Sequence, residues 1–505
     1  MVYFSKGDRG MRFIEPKYRW IIALGAISMV AFIGFSFLKV GSFGFPLDDG
    51  WIHQTYARNF AQTGEWAYIP GKTSGGSTSP LWTFLLSLVH LTRTGPFWGT
   101  FFIALVLFLS SGVLYQILAN RIQPTGFGNW LTALPVFTLF FYFEWHIIWA
   151  AVSGMEIILY IFLILLFFNS LLQKKNAWLP GILIGLAFWT RPDGITLLGP
   201  LYFVLVLSEG SLKERWDAIW RSTVAFLPFI AAYFIFNRIT AESWWPNTFY
   251  AKQSEYAILY EINLIQRILQ LITQPWISAS IVLLPGLVFI LIDSIRRSKW
   301  MPIAMFLWAF GYVVVYAVRL PVIYQHARYL MPTMPVFYFL GLLGTLNLIN
   351  RLNTSESQTR LIQFGAVTLV SVLLLGFWVL GISAYSEDCA IIHEEMVTTS
   401  KWIKDNISDD EVIAAHDIGA LGYFASHDIL DLAGLISPEV IPFIRDEDKL
   451  LQHLEKYDVQ YLMTFSDWYN HLPNSGKVIY RSNGEAILRA NGKPMTVYEY
   501  NWSED

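Results

Sequence analysis

LDDGWIHQTYARNFAQTGEWAYIPGKTSGGSTSPLW, residues 47–82, follows the first long apolar run and places two adjacent carboxylates, Asp48 and Asp49, beside it. Charges next to a hydrocarbon core are costly to desolvate, so two acids at such a place mark a functional position. Asp is also a good helix cap, and a helix is read over 50–62. Further on, SPLWTFLLSLVHLTR (79–93) is apolar but short. A span needs about 20 residues. We read it as a helix lying in the interface behind a re-entrant loop. If it crossed the bilayer, Arg121 and each later basic loop before the tail would change sides.

The rest of the chain follows from that reading. Of 505 residues, 54% are hydrophobic, 17% aromatic and 14% charged. A soluble domain carries about 25% charge. Apolar runs recur from Ile21 to Ile382, so the fold class is an α-helical polytopic membrane protein. Spans are expected near 20–40, 97–119, 128–150, 155–172, 177–191, 194–209, 221–238, 275–294, 300–319, 328–349 and 361–384, about eleven in all. Basic residues set the orientation. Residues 1–19 (with Lys6, Arg9, Arg12, Lys17 and Arg19), Arg121, Lys174–Lys175, 213–221, 296–299 and Arg351–Arg360 carry the positive charge and are expected to be cytoplasmic. No small-residue cleavage site follows the first apolar run, so an uncleaved anchor is expected.

With that orientation, Asp48–Asp49, SGME (153–156), RPDG (191–194), WWPNTFYAK (244–252) and YQHARY (324–329) share the extracytoplasmic face. Three regions result: a cytoplasmic N-terminus at 1–19, a transmembrane catalytic domain at 20–384 and an extracytoplasmic α/β domain at 385–505. The tail is richer in Asp, Glu and His. EVIAAHD (411–417), DILDLAG (428–434), YDVQYLMTF (457–465) and KVIYRS (477–482) read as strands, with a helical run at 446–456. One cysteine, Cys389, excludes an intramolecular disulfide and a cysteine metal cluster. Net charge is −3, which argues neither for nor against a charged partner, and nucleic acid is not expected.

Each motif has a bland and a chemical reading. The acid pair could cap a helix, deprotonate a sugar hydroxyl or hold a divalent cation. Arg58 and Asn59 share one helix face, as an interfacial polar edge or as substrate contacts. GKTSGGSTSP (71–80) lacks Walker spacing, which excludes an ATPase. Arg191, Lys252, His326 and Arg328 are outward-side basic residues. They could snorkel or pair with Asp193, Glu144 and Glu156, or jointly bind a lipid phosphate. Most Trp and Tyr residues are expected in interfacial belts.

The order DD-x-x-I-x-x-x-Y-A-R-N (48–59), PG with TSPLW (70–82), SGME, RPDG, PNTFYAK and RY, with a soluble D-x-G-x-x-G-Y tail, resembles the GT-C superfamily of polyprenyl-phosphate-sugar glycosyltransferases. It is most similar to the mycobacterial terminal arabinofuranosyltransferase branch. Trp51, His53 and Gly76–Ser77 depart from that pattern. The resemblance implies transfer of a sugar from a polyprenyl phosphate to a hydroxyl of a glycan, glycolipid or protein acceptor at the outer face of the plasma membrane, with inversion. Asp48 would be the base, with Asp49 positioning the acceptor or, in a metal-dependent enzyme, sharing a divalent ion with Asp48. Arg191, Lys252, Arg328 and His326 would hold the donor phosphate. His53, Arg58, Asn59, Glu156, Asn247 and Tyr250 would contact substrate. A transporter or flippase of lipid-linked saccharides is the rival; it would need polar groups along a crossing path and preferably an inverted repeat, which the sequence lacks.

The charge bias predicts that a single cysteine introduced into the tail of a Cys389→Ser variant reacts with an impermeant maleimide in intact cells. Reaction only after lysis would reverse the orientation.

Overall fold

The computed structural model describes residues 19–123, 134–173, 175–352 and 355–502. Lys6, Arg9, Arg12, Lys17, Lys174 and the first residues of the span expected at 128–150 lie outside them. Seven helices are long and apolar enough to cross a membrane, and eight if one bent pair counts as a span. The chain is a multi-pass membrane protein with a small α/β region after it.

Helical structure occupies the expected apolar segments, but not all of it at full crossing length. Helices Arg19–Val40, Pro96–Ile122, Leu212–Thr240, Trp300–Arg319 and Glu356–Ile391 are long. Between them the chain breaks where its polar motifs fall. Glu144 ends Val136–Phe143 and caps Trp145–Val152, accepting the Ile147 N–H at 3.1 Å. It also lies 2.9 Å from His146 Nδ1, so it serves this cap rather than the outward-side cations. SGME then turns the chain by 119° into Ile157–Gln173. Pro192 stops Leu179–Thr190, because proline cannot continue the helix ladder. A short 3₁₀ turn leads on to Leu198–Leu207. Apolar helices pack closely where side chains are smallest. A Cβ on Gly344 would lie 1.8 Å from the Gly286 carbonyl, so only glycine lets helices Leu284–Arg296 and Met334–Ile349 touch there.

The loop after the first long helix folds as a helix, a hairpin and a second helix. Asp49–Thr63 ends at Gly64, whose φ of 75° supplies the left-handed cap. Strands β1 (Ala67–Ile69) and β2 (Lys72–Thr73) follow. Helix Pro80–Leu91 has 12 residues, too few to cross the hydrocarbon, in keeping with an interfacial segment.

The last span carries the chain through residue 384 without a break. It continues by a π-turn, Ile392–Val397, into Thr398–Asn406. Beyond it lies a five-stranded mixed sheet of order β4-β3-β5-β7-β6, with β3 (Val412–Ala415), β4 (Asp428–Asp431), β5 (Tyr461–Phe465), β6 (Lys477–Arg481) and β7 (Met495–Glu499). The first three are parallel; β7 runs antiparallel to both neighbours. The four expected strands and the helix at Glu447–Lys456 are present, and β7 is an addition.

This sheet domain is docked on the membrane part by buried polar contacts. Buried Glu395 accepts from the Ser482 hydroxyl and from the Met495 N–H at 2.6 Å. Arg58 donates to the carbonyls of Tyr423 at 2.6 Å and Gly422 at 3.1 Å. Tyr68 donates to the Ile418 carbonyl. Trp51 packs against Tyr423 and Phe424. The target of the last three contacts is one short helix, Gly419–Phe424, seated on the first loop. Gly419 itself is pressed against the loop: a Cβ there would lie 2.0 Å from the Asp48 carbonyl oxygen.

Gly419→Ala is therefore expected to lift this helix from the loop at a cost of about 1–3 kcal/mol, the range for overpacking a tight contact. Limited proteolysis after residue 406 and a lowered melting temperature report it. Wild-type protection would show that the contact yields freely.

Candidate active site

Asp48 and Asp49 are neighbours in sequence and face different surroundings. Asp49 opens helix Asp49–Thr63 and lines a cavity of about 250 Å³ between the first loop and the helix ends. Asp48 precedes that helix but makes no side-chain cap. Its two carboxylate oxygens instead accept the N–H groups of Gly419 at 2.6 Å and Ala420 at 2.8 Å. Asp48 is buried against the tail and is not on the cavity wall. Burial, with Asp417 close by, pushes its carboxyl up to about 8 even though the two N–H groups act the other way.

Asp49 sits in the opposite electrostatic setting. Arg328 reaches it at 2.6 Å and Lys252 at 3.5 Å. Burial opposes ionisation, but these two cations hold the carboxyl well below the usual range. Both cations also donate to the Tyr329 hydroxyl, Lys252 at 2.9 Å and Arg328 at 3.2 Å. Arg328 Nη1 is buried with no hydrogen-bond partner among the described residues. A buried guanidinium with an unspent donor, beside a lysine, is a site for an anion.

The second half of the cavity is a closed ion network. Arg191 spends each guanidinium nitrogen: Nη1 on Glu156 at 2.9 Å, Nε on Asp193 at 3.0 Å and Nη2 on the Tyr316 hydroxyl at 2.8 Å. Asp193 also accepts from the Tyr312 and Tyr316 hydroxyls at 2.8 and 2.5 Å. His53 lies 3.5 Å from Glu156 through Nε2, and its Nδ1 lies 3.0 Å from the Thr83 hydroxyl. Arg191 lines the cavity with each of its three nitrogens already bonded to a member of this network.

Arg328 is aimed by an unusual backbone. Gln325, His326 and Ala327 have φ of 52°, 58° and 53°, three consecutive non-glycine residues in the left-handed region. Each costs of order 1–3 kcal/mol and persists only when its surroundings fix it. The fixing group is Asp388 on the last span. Its Oδ2 is 2.8 Å from His326 Nε2 and accepts the Trp149 indole N–H at 2.8 Å. Trp145 and Trp149 hold the imidazole edge-on.

The expected site residues thus divide. Asp49, His53, Glu156, Arg191, Lys252 and Arg328 come together around the cavity. His326 is not on the cavity wall: the left-handed turn directs it to Asp388. Arg58 braces the tail, and Asn59 ties the hairpin by donating to the carbonyls of Ala67 and Tyr68. Asn247 donates to the Leu435 carbonyl at 3.2 Å. Tyr250 packs edge-on against Phe249, off the cavity wall. The geometry does not fit an Asp48–Asp49 metal pair, since backbone N–H groups take one carboxylate and cations the other. Among the described residues no group of three or more His, Cys, Asp or Glu side chains is placed to hold a metal ion. Tyr312 and Tyr316 were missed; their spacing of four in helix Trp300–Arg319 was the available signal.

Residues 389–500 match a family model described as a domain of unknown function, DUF8728. The crystal structure of ArnT from Cupriavidus metallidurans bound to undecaprenyl phosphate is similar at a TM-score of 0.60 and 14% identity, over 96% of this chain and 98% of that one. The archaeal oligosaccharyltransferase AglB from Archaeoglobus fulgidus, in complex with an inhibitory peptide and a dolichol-phosphate, is similar at 0.57 and 10%, over 89% and 70%. The chain has the GT-C fold of these membrane proteins. A 54-residue stretch is 35% identical to an uncharacterized calcium-binding protein of Schizosaccharomyces pombe; this covers 11% of the chain and spans 29% of that curated relative's length.

Two outcomes follow from the geometry. Arg191→Gln leaves buried Glu156 and half-buried Asp193 without their cation and is expected to cost about 3–5 kcal/mol, read as a lowered melting temperature; unchanged melting would remove the network's structural role. The unfolded chain has released the Asp48 proton above its ordinary 3.8, while the folded chain keeps it up to about 8. Stability is therefore expected to fall as pH rises between those values and to level off above. Asp48→Asn should remove that slope in pH-dependent melting, and a slope left intact would assign it to another group.

Proposed function

We propose that this protein is a glycosyltransferase that moves a sugar from a polyprenyl phosphate to a hydroxyl of a cell-envelope glycan, glycolipid or protein acceptor, at the extracytoplasmic face of the plasma membrane. The observation that carries this reading is Asp49 paired with Arg328 and Lys252 in the cavity, beside the unspent Nη1 of Arg328. A fold shared with ArnT, whose crystal structure contains undecaprenyl phosphate, supports the donor class.

The chemistry is a single displacement. The donor phosphate takes Arg328 and Lys252 as counter-charges, in a site dry enough for those charges to act strongly. Asp49, relieved of its cations, accepts the proton of the acceptor hydroxyl. The hydroxyl oxygen bonds to the anomeric carbon from the face opposite the phosphate. The carbon–oxygen bond to phosphate breaks, its electron pair leaves on the phosphate, and the configuration inverts. We assign the base to Asp49, in place of the Asp48 expected from sequence, because Asp49 is the acid of the pair that lines the cavity. Glu156 and His53 lie where they can contact sugar hydroxyls. A flippase would need polar groups along a crossing path, whereas these acids and cations collect in one cavity.

Asp49→Asn is expected to lower turnover by about 10²-fold or more with the donor still bound. Arg328→Gln should instead raise the donor concentration needed by more than the loss of stability, read as melting in parallel, accounts for. Assays of sugar release from radiolabelled polyprenyl-phosphate sugar decide it: near-normal turnover in Asp49→Asn would remove the base, and unchanged donor dependence in Arg328→Gln would remove the phosphate site.

A further inference from the structure

A second cavity, of about 290 Å³, lies between the hairpin of the first loop and the open edge of the tail sheet. Its floor is β4, an edge strand of the five. Its opposite wall is β2, and Lys72 there reaches Asp428 of β4 at 2.6 Å across the mouth. Thr73, Ser437 and Glu439 contribute polar groups, and Tyr457 an aromatic ring that is 53% exposed.

The two cavities share a partition. Gly76 and Leu435 line the first, while Ser74 and Ile436 line the second. The same two loop segments therefore present one side to the ion network and the other to the hydroxyl-rich cleft.

We propose that this second cavity binds a saccharide portion of the acceptor. The proposal rests on the glycosyl-transfer reading above. Sugars offer hydroxyls that donate to carboxylates and accept from ammonium and hydroxyl groups, together with C–H faces that pack on an aromatic ring. Asp428, Glu439, Lys72, Ser437 and Tyr457 supply each of these complements around one opening. An extended peptide adding to the β4 edge is disfavoured, because strand addition needs free main-chain groups. The Asp431 N–H at this edge is already donated to the Ser437 hydroxyl at 3.1 Å.

Saturation-transfer NMR on the full-length protein in detergent tests it. The probes are oligosaccharides released from the envelope of the producing cells and, separately, undecaprenyl phosphate. Sugar signals are expected with the wild type. They should weaken about tenfold in Tyr457→Ala and in Glu439→Gln, the scale of one lost contact to a charged or aromatic group. Both residues are solvent-exposed, so melting should not change. Undecaprenyl phosphate binding should be untouched in both. Undecaprenyl phosphate binding without any sugar signal, or sugar binding unchanged in both variants, overturns the saccharide site and leaves the donor site standing. Loss of both ligands in the wild type overturns the glycosyl-transfer reading and this inference with it. A Thr-Val hexapeptide that displaces the sugar would assign the cleft to an extended peptide instead.

Discussion

Successive residues at a helix start point about 100° apart around its axis, and the rest of this site depends on that divergence at Asp48 and Asp49. Asp49 turns toward the cavity and takes Arg328 and Lys252. Asp48 turns the other way and takes two backbone N–H groups of the tail. A single peptide bond thus joins the element that carries charge into the cavity to the element that fixes the soluble domain. A shift of the tail helix moves the first residue directly and the second through the backbone.

The tail is part of the site for the same reason. Leu435, on the turn after β4, lines the first cavity, and Asn247 at the start of the Lys252 helix donates to its carbonyl. Asp388, on the last span just before the tail, fixes the left-handed turn that aims Arg328. Strain of that kind is stable only where neighbours over-determine it, and Trp145, Trp149 and Asp388 do so from two different helices. The cavity is therefore assembled from the first loop, five separate helix ends and the tail.

The helical scaffold was legible because long apolar runs report burial or bilayer directly. Its broken segments were not. Glu144 and SGME interrupt runs that hydropathy averages over, so among the described residues seven or eight helices are long and apolar enough to cross a membrane where eleven spans were expected. Four tail strands were legible from their apolar cores, while Met495–Glu499 was missed. That strand is buried on both faces and lacks the alternation that marks a half-exposed one. The acid pair stood out in the sequence as two charges beside an apolar run, but the different surroundings of its two members did not. The partner of Asp48 lies 371 residues away, beyond any local pattern. Arg328 lines the cavity while His326, two residues before it, turns to Asp388, since nothing in YQHARY announces three left-handed residues.

In the proposed mechanism a donor phosphate draws Arg328 and Lys252 away from Asp49 and so makes that carboxylate a base. Difference infrared spectroscopy on adding undecaprenyl phosphate measures this most directly. The account predicts a shift of a carboxylate band that is absent in Asp49→Asn and retained in Asp48→Asn. A carboxylate band that does not move, or one that still moves without Asp49, would contradict it.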